Sequence, residues 1–219
     1  MSAISSHYAE RIEKIVRQVV DEVLPPFGDR TVPIGISARH MHVMPEHLEI
    51  LFGSGAKLTK LRDLTQPGEF AANETVAVMG PNRRLFGQVR ILGPTRDLTQ
   101  LELAYTDGIF LGIDLPHRIS GDIKGTAPFT VIGPAGVLRL PEGAIRAMRH
   151  VHMNPETAKR LGLNAGDKIQ VKAHGSAGLI FDDVVVRIKD GLLLQMHVDT
   201  DEANAAGLDP HNAFGEMLF

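Results

Sequence analysis

The sequence runs to 219 residues, enough to bury one sizeable core or two small ones. Hydrophobic residues make up 43% and charged residues 22%, and a formal net charge of −3 gives no general case for nucleic acid or an anionic membrane surface. Cysteine is absent, which excludes disulfides, thiolate metal ligands and a catalytic thiol; no run approaches the roughly 18 apolar residues of a membrane span, and no secretory signal opens the chain, so a cytoplasmic protein is expected.

Residues 7–24 predict an amphipathic helix. Ile12, Ile15, Val16, Val19, Val20 and Val23 form one stripe, with Glu10, Arg11, Lys14 and Arg17 opposite, and Pro25-Pro26-Phe27-Gly28 ends it. A helix packed on its own domain and a docking helix laid into a partner both fit this pattern.

From Thr31 the text changes to short strands. Val32–Ile36 leads into Arg39-His40-Met41-His42-Val43-Met44-Pro45-Glu46, followed by a short helix over 45–52 stopped by Gly53. Strands are predicted near 75–79, 85–92, 98–104 and 129–132, bounded by turn residues such as Gly80-Pro81-Asn82, Gly93-Pro94 and Gly133-Pro134. The phrase then returns as Arg149-His150-Val151-His152-Met153-Asn154-Pro155-Glu156, with Asn154 placed to cap a helix over 155–161. Strands near 168–173, 179–188 and 192–198 follow, and Asp199-Thr200-Asp201-Glu202 reads as a capped helix start. Many short strands with few helices indicate barrels or sandwiches rather than a wound parallel sheet.

The duplicated Arg-His-x-His-x-x-Pro-Glu carries the chemistry. Residues two apart on a strand share a face, so His40 and His42 aim at one point, as do His150 and His152. The duplication runs on: Gln100-Leu101-Glu102 aligns with Gln195-Met196-His197, setting Glu102 and His197 at matched positions. Two candidate metal sets result: His40, His42 and Glu102, and His150, His152 and His197. His₂-carboxylate and His₃ triplets both occur at zinc centres that keep an open position. For one His-x-His alone, two core histidines satisfied by backbone would be the better reading; the second copy in matched context favours metal. His7, His47, His117, His174 and His211 have no partner at ligand spacing and are expected to be solvent-facing or structural.

These residues carry a resemblance. Residues 32–42, Leu92-Gly93-Pro94-Thr95-Arg96, Gln100-Leu101-Glu102, Ser120-Gly121-Asp122-Ile123-Lys124-Gly125, residues 149–153 and residues 196–204 resemble, in order, the motifs of PduL-type phosphotransacylases (phosphate propanoyltransferases). The resemblance implies a mainly β fold of two small β-barrels with exchanged first strands and short capping helices, preceded by the N-terminal amphipathic helix. It divides the chain into 1–30 (helix and linker), 31–148 (first pseudo-repeat, mostly one barrel) and 149–219 (second pseudo-repeat, its barrel completed by the strand near 31–39). It implies interconversion of acyl-CoA plus phosphate with acyl phosphate plus CoA, propanoyl or a similarly short acyl group, by direct transfer at two zinc ions per chain. One metal would sit on His40, His42 and Glu102. The other would sit on His150, His152 and His197, with the coenzyme A sulfur as a fourth ligand. Arg96 would bind phosphate, while Ser37, Arg90, Leu92, His197 and Asn204 would touch coenzyme A. Lys57, Lys60 and Arg62 depart from the family pattern and are alternatives for the nucleotide phosphates. Gly121–Gly125 is read as a glycine turn outside the site. The resemblance also implies a homo-oligomer, and encapsulation in a bacterial microcompartment through residues 7–24, with shell or cargo as partners. A dinuclear zinc hydrolase of a small phosphoester or amide is the competing function, and a non-catalytic barrel with a structural metal a third.

Overall fold

Alternation of side chains fixes which strands line a core. The computed structural model describes residues 28–219, and the helix expected over residues 7–24 lies outside them. In β1 (Thr31–Ser37), Val32 and Ile34 are buried and Pro33 between them is exposed. The strands that follow are β2 (His40–His42), β3 (Lys60–Asp63), β4 (Phe70–Met79), β5 (Leu85–Gly93), β6 (Gln100–Glu102), β7 (His117–Arg118), β8 (Ala127–Ile132) and β9 (Val137–Ala147). After them come β10 (His150–Met153), β11 (Lys168–Ala173), β12 (Ile180–Ile188), β13 (Gln195–Asp199) and β14 (Phe214–Leu218). Four short helices intervene: α1 (Pro45–Phe52), α2 (Tyr105–Leu111), α3 (Pro155–Leu161) and α4 (Thr200–Ala206).

The strands close two barrels, as expected. One is the ring β1-β13-β10-β12-β11-β14. The other is the ring β4-β5-β2-β6-β9-β8, closed because β8 pairs with both β9 and β4. Each encloses its own apolar cluster, one around Met41, Ile91 and Leu101, the other around Val151, Met196 and Met217.

The first strands are exchanged. β1 runs parallel to β13 (Ile34 beside Met196, Gly35 beside His197) and antiparallel to β14, so it belongs to the late barrel, whereas β2 belongs to the early one. β9 likewise runs parallel to β6 in the early barrel, and β10, next in the chain, joins the late one. The chain therefore crosses between barrels twice, at Ala38-Arg39 and at Met148-Arg149, immediately before each His-x-His.

The helices at 45–52 and 155–161 sit where expected, each with proline in its first turn. Asn154 accepts from Thr157 N at 2.8 Å, and Asp199 and Glu202 form a capping box that starts α4. Several elements were not expected: α2, whose interior Gly108 reads as a breaker, the short β3, β7 and β14, and above all β9. Pro141 and Gly143 punctuate β9 in the sequence. In the structure Gly143 has φ 123° and is where the strand turns from β8 towards β6; a Cβ there would lie 2.8 Å from Thr99 O. The strand near 75–79 starts earlier, at Phe70, while those near 98–104 and 192–198 shrink to Gln100–Glu102 and Gln195–Asp199. Among the described residues no helix is long and apolar enough to cross a membrane.

Candidate active site

Strand register assembles each ligand set. On β2, His40 lies opposite Glu102 of β6; on β10, His150 lies opposite His197 of β13. Ligand atoms of His40, His42 and Glu102 all fall within 4.8 Å of one another, with Glu102 Oε2 3.5 Å from His40 Nε2 and Oε1 3.8 Å from His42 Nε2. In the other set the ring centroids are 4.7 Å apart for His150–His152, 4.9 Å for His152–His197 and 5.1 Å for His150–His197. One cavity, at the junction of the crossovers, is lined by His40 and Glu102 of the early barrel and by Ser37, His150, His197 and Asp199 of the late one.

The crossover backbone sets two tautomers. His40 Nδ1 lies 2.9 Å from Ala38 O and His150 Nδ1 2.8 Å from Met148 O, so in each ring Nδ1–H donates and the Nε2 lone pair is left for a ligand. Three further ring nitrogens, His42 Nδ1, His152 Nδ1 and His197 Nε2, are buried without a hydrogen-bond partner. Convergent neutral imidazoles with spare lone pairs, one set completed by a carboxylate, fit a divalent transition metal such as zinc.

Electrostatics keep His42, His152 and His197 free of a second proton. Burial is the main cause that pushes His42 down to about 3, with His40 and Arg96 adding to it. His152 and His197 are also pushed down to about 3, by burial and then by His150. Burial opposes the charge on Glu102, but His40, His42 and the Ser120 hydroxyl outweigh it and hold the carboxyl at about 2. Glu102 Oε1 accepts from Gln100 Nε2 at 2.6 Å and Ser120 Oγ at 2.8 Å, while Gln100 Oε1 accepts from Gly121 N at 2.7 Å. Gly121, set aside in the sequence as part of a turn, and Ser120 before it thus reach the site as the support of Glu102.

Arg96 sits beside the cluster: its charge lowers both His42 and His152, and its Nη2 donates to Glu69 Oε1 at 3.1 Å. A second guanidinium was missed in the sequence. Arg187 lies beside His152 in the β10–β12 register, and its charge lowers His150, His152 and His197. No periodicity marks Arg187; only the parallel pairing of distant strands brings it in. Of the residues expected at coenzyme A, Ser37 and His197 line the cavity. Arg90 lies beside His40 on β5 but donates from Nη1 to Ala72 O at 2.6 Å, Leu92 is half-buried on β5, and Asn204 is exposed on α4. Lys57, Lys60 and Arg62 are exposed, Lys60 paired with Asp63 at 2.8 Å. His47 is structural, its Nδ1 2.8 Å from Thr99 Oγ1.

The family model for phosphate propanoyltransferase matches residues 33–209. A phosphate propanoyltransferase of Lachnoclostridium phytofermentans is 46% identical over 199 residues, covering 90% of this chain and 93% of that protein. That of Planctopirus limnophila is 49% identical over 176 residues (80% and 72% covered), and that of Salmonella typhimurium 41% over 210 residues (95% and 97%).

Proposed function

Because the chain belongs to the phosphate propanoyltransferase family, a family of phosphate acyltransferases, we propose that it interconverts acyl-CoA plus phosphate with acyl phosphate plus CoA, for propanoyl or a similarly short acyl group, by direct transfer at two zinc ions. The observation that carries this reading is one cavity lined by His40 and Glu102 of one set and by His150 and His197 of the other. His40, His42 and Glu102 would hold one ion and His150, His152 and His197 the other. Bound zinc supplies Lewis acidity there, which favours the thiolate of a thiol whose free pKa is about 8.5.

The chain's own residues do the rest. With no cysteine in the sequence, the reacting thiol belongs to coenzyme A and no cysteinyl acyl-enzyme forms. Arg96 and Arg187 place two fixed positive charges beside the ligand sets, suited to hold phosphate and to stabilise charge on it as it departs. Ser37, Arg90, Leu92, His197 and Asn204 remain the coenzyme A contacts of this reading, with Lys57, Lys60 or Arg62 for its phosphates. Confinement of both substrates in one cavity supplies proximity in place of a protein nucleophile. A homo-oligomeric cytoplasmic enzyme, packaged in a bacterial microcompartment through residues 7–24, completes the proposal.

The test mixes propanoyl phosphate or acetyl phosphate with coenzyme A and follows thioester absorbance. Thioester formation that is lost in Arg96→Ala through a raised KM for acyl phosphate supports the reading. Acyl phosphate consumed without coenzyme A would instead identify a hydrolase.

A further inference from the structure

Ala38 and Met148 hold the same place in the two halves. Each stands directly before the arginine of the duplicated phrase, and each carbonyl oxygen accepts from the histidine two residues on, His40 at 2.9 Å and His150 at 2.8 Å. The backbone task is shared, yet one half carries a methyl group there and the other a long thioether. Both residues line the cavity between the ligand sets. Leu103 and Val198, also in the lining, are each 3% exposed and belong to the barrel cores. Met148 is half-buried and belongs to neither apolar cluster. Its backbone is nonetheless held. Met148 N donates to Arg118 O at 2.8 Å, and Ala147 beside it pairs with Arg118 in the short β7–β9 ladder. Met148 is thus an apolar side chain on a fixed backbone, placed at a cavity rather than in a core, where a flexible thioether fills irregular space.

The cavity wall is also uneven in polarity. Ser37 and Asp199, neighbours in the β1–β13 register, give one stretch its polar groups. Leu103 just past β6, Ala147 at the end of β9 and Met148 after it form an apolar stretch. An acyl-CoA has the same contrast about its thioester, with an amide-bearing arm on the sulfur side and bare hydrocarbon on the carbonyl side. We propose that Met148 is the specificity-determining residue for acyl chain length, its thioether closing the end of an apolar seat for the hydrocarbon tail. The inference rests on the phosphate acyltransferase reading, since that reaction is what brings an acyl group to the cavity. A closed seat accepts a short tail and rejects a longer one by overlap, and one methylene too many costs about tenfold or more in kcat/KM.

The test runs the metal-loaded full chain with phosphate and acetyl-, propanoyl- or butanoyl-CoA. Released coenzyme A is read with a thiol reagent, to which a chain without cysteine is silent. Wild type is compared with Met148→Ala and Met148→Phe, both of which keep the carbonyl that accepts from His150. In Met148→Ala the ratio of kcat/KM for butanoyl-CoA to that for propanoyl-CoA should rise by about tenfold or more. In Met148→Phe the ratio for propanoyl-CoA to acetyl-CoA should fall. A change that merely disturbs His150 lowers kcat/KM for every acyl group alike and leaves both ratios where they were. Ratios within about twofold of wild type in both variants therefore overturn the seat while leaving the acyltransferase reading in place. A wild type that releases coenzyme A from none of the three thioesters removes that reading, and the inference with it.

Discussion

A buried imidazole that stays neutral in the folded protein, yet takes a proton when unfolded, makes stability depend on pH. His42, His152 and His197 have folded pKa values of about 3 against an unfolded value near 6.5. Between those limits the unfolded chain binds more protons than the folded one, so stability rises with pH there. The contribution is fully present above pH ~6.5 and drains away as pH falls towards ~3, at up to about 1.4 kcal/mol per pH unit for each histidine. Chelator-treated protein should therefore melt at progressively lower temperature from pH 7 to pH 5; a melting temperature flat over that range would mean that these rings are protonated in the fold. Glu102 tests the other side of the site. Removing the Ser120 hydroxyl, which donates to Glu102 Oε1 at 2.8 Å, leaves the ligand oriented by Gln100 alone. Ser120→Ala should weaken metal binding at the His40/His42/Glu102 set by about 10- to 100-fold and spare the His₃ set, a split that chelator competition can resolve. The grouping of these six residues into two sets was legible in the sequence because strand periodicity puts alternate residues together and the duplication matches Glu102 with His197. Arg187, Gln100, Ser120 and Glu69 were not, since each acts through a contact between strands or loops that no local spacing encodes.

At the scale of elements, the arginine that opens each duplicated phrase ties a ligand strand to the helix following the third ligand. Arg39 donates to Asp107 Oδ1 through Nε at 3.2 Å and Nη2 at 2.8 Å, and Asp107 Oδ2 accepts from Ala104 N at the start of α2. In the other half Arg149 Nε lies 3.5 Å from Glu202 Oε1, while Glu202 Oε2 accepts from Asp199 N at the start of α4. Each carboxylate occupies the third position of its helix, where it serves both the unpaired backbone N–H and the guanidinium. Arg39 also stacks 4.1 Å over Phe86. Asp107→Ala strands a half-exposed guanidinium and one buried amide, so it should cost about 1–3 kcal/mol in denaturant unfolding. A loss under about 0.5 kcal/mol, the usual range for a surface substitution, would show that the contact is incidental. The paired arginines were visible as a repeat, but their purpose was not, because α2 was itself unread: Ala104 carries no capping side chain and Gly108 interrupts the pattern. Gly108 is there for packing, since a Cβ would come within 2.7 Å of Leu115 Cδ1 and 2.9 Å of Ile113 O.

For the whole molecule, exchange of the first strands makes the two barrels unequal when the chain is divided. A fragment of residues 38–148 carries β2, β4, β5, β6, β8 and β9, every member of the early ring, together with the cluster around Met41, Ile91 and Leu101. A fragment of residues 149–219 carries β10 to β14 and lacks β1, which lies between β13 and β14 and brings Val32 and Ile34, 0% and 5% exposed, into the late core. Without β1 the late ring has two open edges in place of none, and loses two buried aliphatic side chains worth about 1.5–3 kcal/mol each. The early fragment should therefore show dispersed amide NMR signals and a cooperative thermal transition, while the late fragment alone should show neither. Extending the late fragment with residues 28–37 on a flexible linker should restore its fold, because β1 needs only to reach its slot rather than to arrive from the far end of the chain. The ligand sets should divide in the same way, since His40, His42 and Glu102 stay within the early fragment and His150, His152 and His197 within the late one. Zinc should accordingly bind the early fragment at a single site, and bind the late fragment tightly only after the β1 extension. A late fragment that folds and binds zinc without β1 would mean that five strands close the barrel unaided and that the exchange serves the cavity between the two sets rather than the stability of either barrel.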